Sequence, residues 1–249
     1  MSKIFFSIYV WLVIVTVTLI LSPIFTFVWL ITVLFDKKLI LLHYLANFWG
    51  SLFTVLVPSW NVNIIGKEKL NNKGKVIVAN HQSQEDILAV YRLGIPFRWI
   101  AKAEIFKVPF YGWVMHLKGD IKLQRSSKSS IKKMLIDAEK VLRKGNIITI
   151  FPEGTRSKNR KLGNFKEGAF KLALAAKVPI VPLVIHGTGQ NLLSPKGIFN
   201  RKHKVTVKVL DEIPYSDFKD KETREFANHV RGIIEIELNQ HKISENGKQ

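Results

Sequence analysis

Lys75-Val76-Ile77-Val78-Ala79-Asn80-His81-Gln82-Ser83-Gln84-Glu85-Asp86-Ile87 is the stretch from which both fold and chemistry are read. Lys75 to Ala79 is a short, β-branched apolar run, the pattern of a strand buried on both faces. A second apolar run starts at Ile87 and ends at Val90. His81 therefore sits at the carboxyl end of a strand, and Asp86 falls in the first turn of a helix. A carboxylate that holds one imidazole nitrogen leaves the other unprotonated and aimed at a hydroxyl, which is an oriented general base. No serine or cysteine nucleophile is evident nearby, so the attacking hydroxyl would be the substrate's own. Ser83 to Asp86 also fit a capping box, with Ser83 as N-cap and Asp86 reaching back to its amide. A metal centre is not expected, because no second histidine lies at ligand spacing and the chain has no cysteine. His81 gains chemical meaning only if other segments converge on it.

Working outward, short apolar runs alternate with helical patterns. Strands are expected at Val62–Ile65, Lys75–Ala79, Arg98–Ala101, Ile121–Gln124, Asn146–Phe151, Ile180–Ile185 and Val205–Leu210. Ser127–Lys144 reads as a helix whose apolar positions include Ile131, Met134, Ala138 and Leu142. A C-terminal helix is expected over about Lys221–Asn239, followed by a disordered tail from Lys242. This alternation predicts an α/β fold, a mostly parallel mixed sheet flanked by helices. Ligands in such folds gather at the carboxyl ends of strands, where His81 lies.

A second constellation leaves the strand Asn146–Phe151 as Phe151-Pro152-Glu153-Gly154-Thr155-Arg156-Ser157. Pro152 ends the ladder, and Gly154 permits close backbone approach to a ligand. Glu153, Thr155 and Arg156 offer an acceptor, a hydroxyl and a planar cationic fork suited to a phosphate. A polar turn with a surface arginine fits the same residues. Lys102 and Arg125 also follow expected strands and are read as further phosphate ligands or as solvated charges. Val178-Pro179-Ile180-Val181-Pro182-Leu183 is expected to shape a cleft wall.

The 249-residue chain carries a net charge of +19. Residues 1–60 hold three lysines and one aspartate, a net +2, which leaves +17 on residues 61–249. So basic a body suits an anionic bilayer surface, phosphorylated substrates, an acidic carrier protein or nucleic acid. The amino-terminal segment selects lipid over nucleic acid. Ile4 to Phe35 is free of charge, and as one helix it would be ~48 Å long against a hydrocarbon core of ~30 Å. Pro23 is expected to divide or kink it. A second uncharged run follows Asp36-Lys37-Lys38, with Trp49 and Trp60 suited to the lipid–water boundary. Residues 1–60 are thus expected to form a membrane-embedded helical hairpin, spanning or lying in one leaflet, and residues 61–249 a catalytic domain on the cytoplasmic side. A cleaved signal peptide is the other reading of the first run.

The four blocks Asn80–Asp86, Lys102–Arg125, Phe151–Ser157 and Val178–Pro182, in this order, resemble the glycerolipid acyltransferases, and the similarity covers about residues 62 to 212. The resemblance implies His81 as general base, oriented by Asp86. It implies Glu153, Gly154, Thr155 and Arg156 as acceptor-binding residues, with Lys102 and Arg125 as phosphate ligands. Gln84-Glu85 departs from the aromatic or apolar residue frequent there in that family, which bears on acceptor choice. The implied reaction moves a fatty acyl group from acyl-CoA or acyl-carrier protein to 1-acylglycerol-3-phosphate, with no cofactor beyond that co-substrate. Rival readings are transfer to another lysophospholipid, or a non-catalytic membrane protein that binds anionic lipid.

Overall fold

The computed structural model describes residues 2–57, 60–157, 161–188, 193–194, 196–200 and 203–246, with the backbone alone for residue 203 and residues 241–246. The seven apolar runs each form a strand: β1 Trp60–Ile65, β2 Lys75–Ala79, β3 Arg98–Lys102, β4 Ile121–Leu123, β5 Ile147–Ile150, β6 Ile180–His186 and β7 His203–Val209. They make one sheet in the order β1-β7-β6-β2-β5-β3-β4. Every pairing is parallel except β6 with β7. The helices are α1 Lys3–Thr32, α2 Ile40–Val55, α3 Glu85–Tyr91, α4 Tyr111–Leu117, α5 Lys128–Arg143, α6 Gly168–Ala176 and α7 Thr223–Asn246.

Alternate residues of each strand feed two hydrophobic clusters, as the two-residue period of a strand requires. Ile77 and Ala79 join Trp99 and Val181 on one face, with Val90, Trp49 and Phe25 of α3, α2 and α1. Val76 and Val78 join Ile148 and Val184 on the other, with Ala138, Phe170 and Phe226 of α5, α6 and α7. Because β2, β3, β4 and β5 are mutually parallel, the loops that leave them emerge on one edge of the sheet. That edge carries the site.

Several expectations are corrected. Pro23 does not divide α1, which runs on to Thr32. An interior proline costs ~3 kcal/mol, but Leu21 and Phe25 beside it are buried, at ~1.5–3 kcal/mol for each large apolar side chain. Trp49 and Trp60 are buried, not at a boundary: Trp49 packs on Phe25 and Trp60 on Phe6. The tryptophans that stand exposed are Trp11 and Trp113. The segment expected as a cleft wall forms the interior strand β6, whose Pro182 lines a different pocket with Leu210 and Phe226. The C-terminal helix continues to Asn246, past the expected start of a tail at Lys242; residues 247–249 lie outside the described ones.

A buried ion pair ties β3 to β4. Lys118 Nζ lies 2.5 Å from Asp120 Oδ1, with both side chains at 1% exposure or less. The same oxygen accepts the Trp99 N–H at 2.8 Å. Burial pushes the Asp120 carboxyl up and the Lys118 ammonium down, each opposed by the other's charge.

Candidate functional site

β2 ends at Ala79, and Asn80 is the first residue beyond it. Its side chain extends the ladder: Oδ1 accepts the Ile185 N–H at 2.8 Å, and Nδ2 donates to the Ile185 carbonyl at 2.9 Å. His81 follows, so its position is set by the central strand. Asn80→Ala leaves both Ile185 groups unpaired in a buried site, at about 1–3 kcal/mol for each. Thermal unfolding of this variant should show a loss of roughly 2–4 kcal/mol; a stability equal to wild type would mean that Asn80 pins nothing.

Asp86 brings the two readings of the motif together. One buried oxygen, Oδ2, meets His81 Nδ1 at 2.7 Å and accepts the N–H groups of Gln82 at 2.7 Å and Ser83 at 2.9 Å. The carboxylate thus closes the turn, as a capping residue does, and also holds the imidazole. Ser83 is not the N-cap, however; that place belongs to Gln84, whose side chain makes no capping bond. The carboxylate engages Nδ1 of the ring and not Nε2.

The block after β5 grips His81 from the other side. Glu153 Oε1 accepts the His81 N–H at 2.7 Å, its Oε2 accepts the Gly163 N–H at 2.8 Å, and the Ser157 N–H donates to the His81 carbonyl at 2.9 Å. Burial pushes the Glu153 carboxyl above the ordinary range, against the pull of the two amides. Phe151 lies flat on the imidazole, with ring centroids 4.0 Å apart and planes 9° from parallel, and Trp99 stacks on Phe151 at 5.3 Å. His81 is therefore fixed by strand, carboxylate, loop and ring at once.

Two cavities flank it. One, of about 270 Å³, is lined by His81, Lys102, Arg125, Gly154 and Lys166 among apolar side chains of β3, α5 and α6. The other, of about 430 Å³, lies under α1 and α2 and is lined by Trp11, Phe53, Gln82, Ser83, Glu85 and Arg156. Ile87 and Tyr111 border both. The three expected cations are thus divided: Lys102 and Arg125 share the histidine's cavity, while Arg156 faces the neighbouring one. Thr155 is exposed and lines neither. Asn80, Phe151 and Lys166 were not among the expected site residues. Asn80 and Phe151 stand next to the motifs and could have been suspected from their place at strand ends; nothing in the local sequence marks Lys166.

Fold and site together define an α/β protein with a strand-end His–Asp pair beside an apolar cleft. The chain belongs to the acyltransferase family, whose model matches residues 61–186. It is 30% identical over 196 residues to the 1-acyl-sn-glycerol-3-phosphate acyltransferase of Escherichia coli, covering 76% of this chain and 78% of that one. It is 39% identical over 181 residues to the yeast protein of the same name, covering 71% of this chain and 59% of the relative. It spans about half the length of the algal and plant relatives it matches. Among solved structures, the 1-acyl-sn-glycerophosphate acyltransferase of Thermotoga maritima superposes with a TM-score of 0.77 at 22% identity over 96% of both chains, and so shares the fold.

Proposed function

We propose that this chain transfers a fatty acyl group from an acyl thioester, acyl-CoA or acyl-carrier protein, to the sn-2 hydroxyl of 1-acylglycerol-3-phosphate, making phosphatidic acid. The observation that carries this reading is the His81–Asp86 pair opening on an apolar cavity ringed by cations, a shape for an acyl chain with a phosphate. Nε2 of His81 takes the proton from the acceptor hydroxyl as its oxygen attacks the thioester carbonyl. The C–O bond forms, the C–S bond breaks, and the imidazolium proton goes to the departing thiolate. A thiolate leaves readily, so neither an acyl-enzyme nor a cofactor is required. The names of the relatives support this choice of acceptor. The double backbone engagement of Glu153 supports a positioning role for that carboxylate, while Asp86 orients the base.

Residues 1–60 serve as the anchor and residues 61–249 as the catalytic body, on the cytoplasmic side. α1 has the length and composition to cross a bilayer, but two features favour a seat within one leaflet. α2 has 16 residues, or ~24 Å, short of a ~30 Å core. α1 packs on the body through Trp11 against Phe199, through Ser7, which accepts the Phe199 N–H at 2.9 Å, and through its contacts with α4. Its outer face, with Phe5, Leu12, Leu19 and Phe27, is exposed and apolar.

The test is transfer of a labelled acyl group by the full chain in mixed micelles, with lysophosphatidate and uncharged-headgroup lysolipids in competition. Labelled phosphatidate is the expected product; label on other lysolipids alone, or none, sinks the reading. Arg156→Ala should raise the acceptor KM roughly 10–100-fold, the loss of one charge-assisted bond. Initial-rate kinetics check this, and an unchanged KM removes Arg156 from the acceptor's site.

A further inference from the structure

Among the described residues, the cavity beside His81 is lined by three cations, Lys102, Arg125 and Lys166, and by no acidic residue. Lys102 meets Glu104 at 3.5 Å, but both side chains are more than half exposed, so the pair neutralises little. Among the described residues neither Arg125 nor Lys166 forms an ion pair. The rest of the lining, Trp99, Ile100, Met115 and Met134 among it, is apolar. All three cations are exposed, so their mutual repulsion is screened and their common sign acts chiefly to draw in an anion.

Lys166 is tied to the loop that holds the base. Its N–H donates to the Pro152 carbonyl at 2.9 Å, and its side chain folds across Gly154. A Cβ built on Gly154 would stand 3.0 Å from Nζ and 3.1 Å from Cε of Lys166. Gly154 also has φ +73°, so a glycine meets two requirements here: it makes the turn, and it leaves the lysine room. The ammonium is thereby positioned by the same loop whose Glu153 and Ser157 bond the backbone of His81. The neighbouring cavity differs, with both Arg156 and the acidic Glu85 in its lining.

We propose that Lys166 is a further phosphate-binding residue, joining Lys102 and Arg125, which the family resemblance implies as phosphate ligands, in an anion site inside the histidine's cavity and separate from that of Arg156. The proposal rests on the transfer reading, because that reaction needs two phosphate-bearing molecules at once: the lysophosphatidate, and the CoA or phosphopantetheine arm of the donor. Each cavity then holds one phosphate, and the reacting groups meet where Ile87 and Tyr111 border both.

The experiment is isothermal titration of the full chain in detergent with two probes, CoA and hexanoyl lysophosphatidate, for wild type, Lys166→Gln and Lys166→Arg. Lys166→Gln should weaken one probe roughly 10-fold or more and spare the other, while Lys166→Arg stays near wild type. Loss confined to CoA upholds the site as the donor's and leaves the acceptor beside Arg156. Loss confined to lysophosphatidate upholds Lys166 but moves the acceptor's phosphate here, and cancels the KM effect expected of Arg156→Ala. Unchanged binding of both, or equal weakening of both, overturns it. Should Lys166→Gln fail to fold, acetic anhydride labelling of Lys166 in the wild type decides by mass spectrometry. Protection by one probe supports the site, and no protection by either refutes it. A chain that binds both probes through these cations yet transfers no acyl group would end the transfer reading and leave the phosphate site standing.

Discussion

His81→Ala should lower acyl transfer to lysophosphatidate by about 10²–10⁴, the contribution of a positioned general base, while the chain still folds with a loss of about 1–3 kcal/mol and binds the acceptor as before. The separation is expected from where the bonds lie. The contacts that hold the loop run through the backbone of His81, to Glu153 and Ser157, and survive the substitution. Asp86 keeps the amides of Gln82 and Ser83. Only the imidazole goes, with its stack on Phe151 and its bond to Asp86. Rate assays at saturating acceptor, beside an unfolding curve, check the outcome. Transfer within threefold of wild type would remove the base from the mechanism. Asp86 is a poorer test of chemistry, because its one oxygen serves both turn and imidazole.

Asp120→Ala should be strongly destabilising, at about 3–5 kcal/mol. It leaves the Lys118 ammonium buried with no counter-charge and the Trp99 N–H without its acceptor. For a chain of this size that is a fall in Tm of roughly 10 °C. Replacing both members together, Lys118→Met with Asp120→Leu, should recover much of the loss, since an apolar pair of similar volume carries no uncompensated charge. Circular dichroism melts of the single and double variants check this; a single variant as stable as wild type would show that the pair holds nothing. Activity should fall with stability, because Trp99 stacks on Phe151, and Phe151 lies against His81.

Each strand was legible because each is a short β-branched run bounded by turn residues, and a local pattern needs only local information. The helix α5 was legible for the same reason, its apolar positions recurring at helical spacing and its N-cap, Ser127, accepting the Ser130 N–H. The His81–Asp86 contact was legible because five residues across one turn confine the two side chains. The same locality explains the misses. Pro23 reads as a break only while the burial of Leu21 and Phe25 is unseen. Trp49 and Trp60 read as boundary residues until the rings that cover them are known.

The sequence by itself determined the alternation of strands and helices, the basic body behind an apolar leader, and the oriented histidine. These depend on the order of residue types along the chain. Only the tertiary structure decided that Lys166 joins Lys102 and Arg125, that Arg156 faces another cavity, that Phe151 lies on the imidazole, and that Lys118 and Asp120 neutralise each other in the core. Those are facts about which strand lies beside which. The order β1-β7-β6-β2-β5-β3-β4 comes from packing two apolar faces of one sheet at once, a condition on the whole chain that no single segment carries.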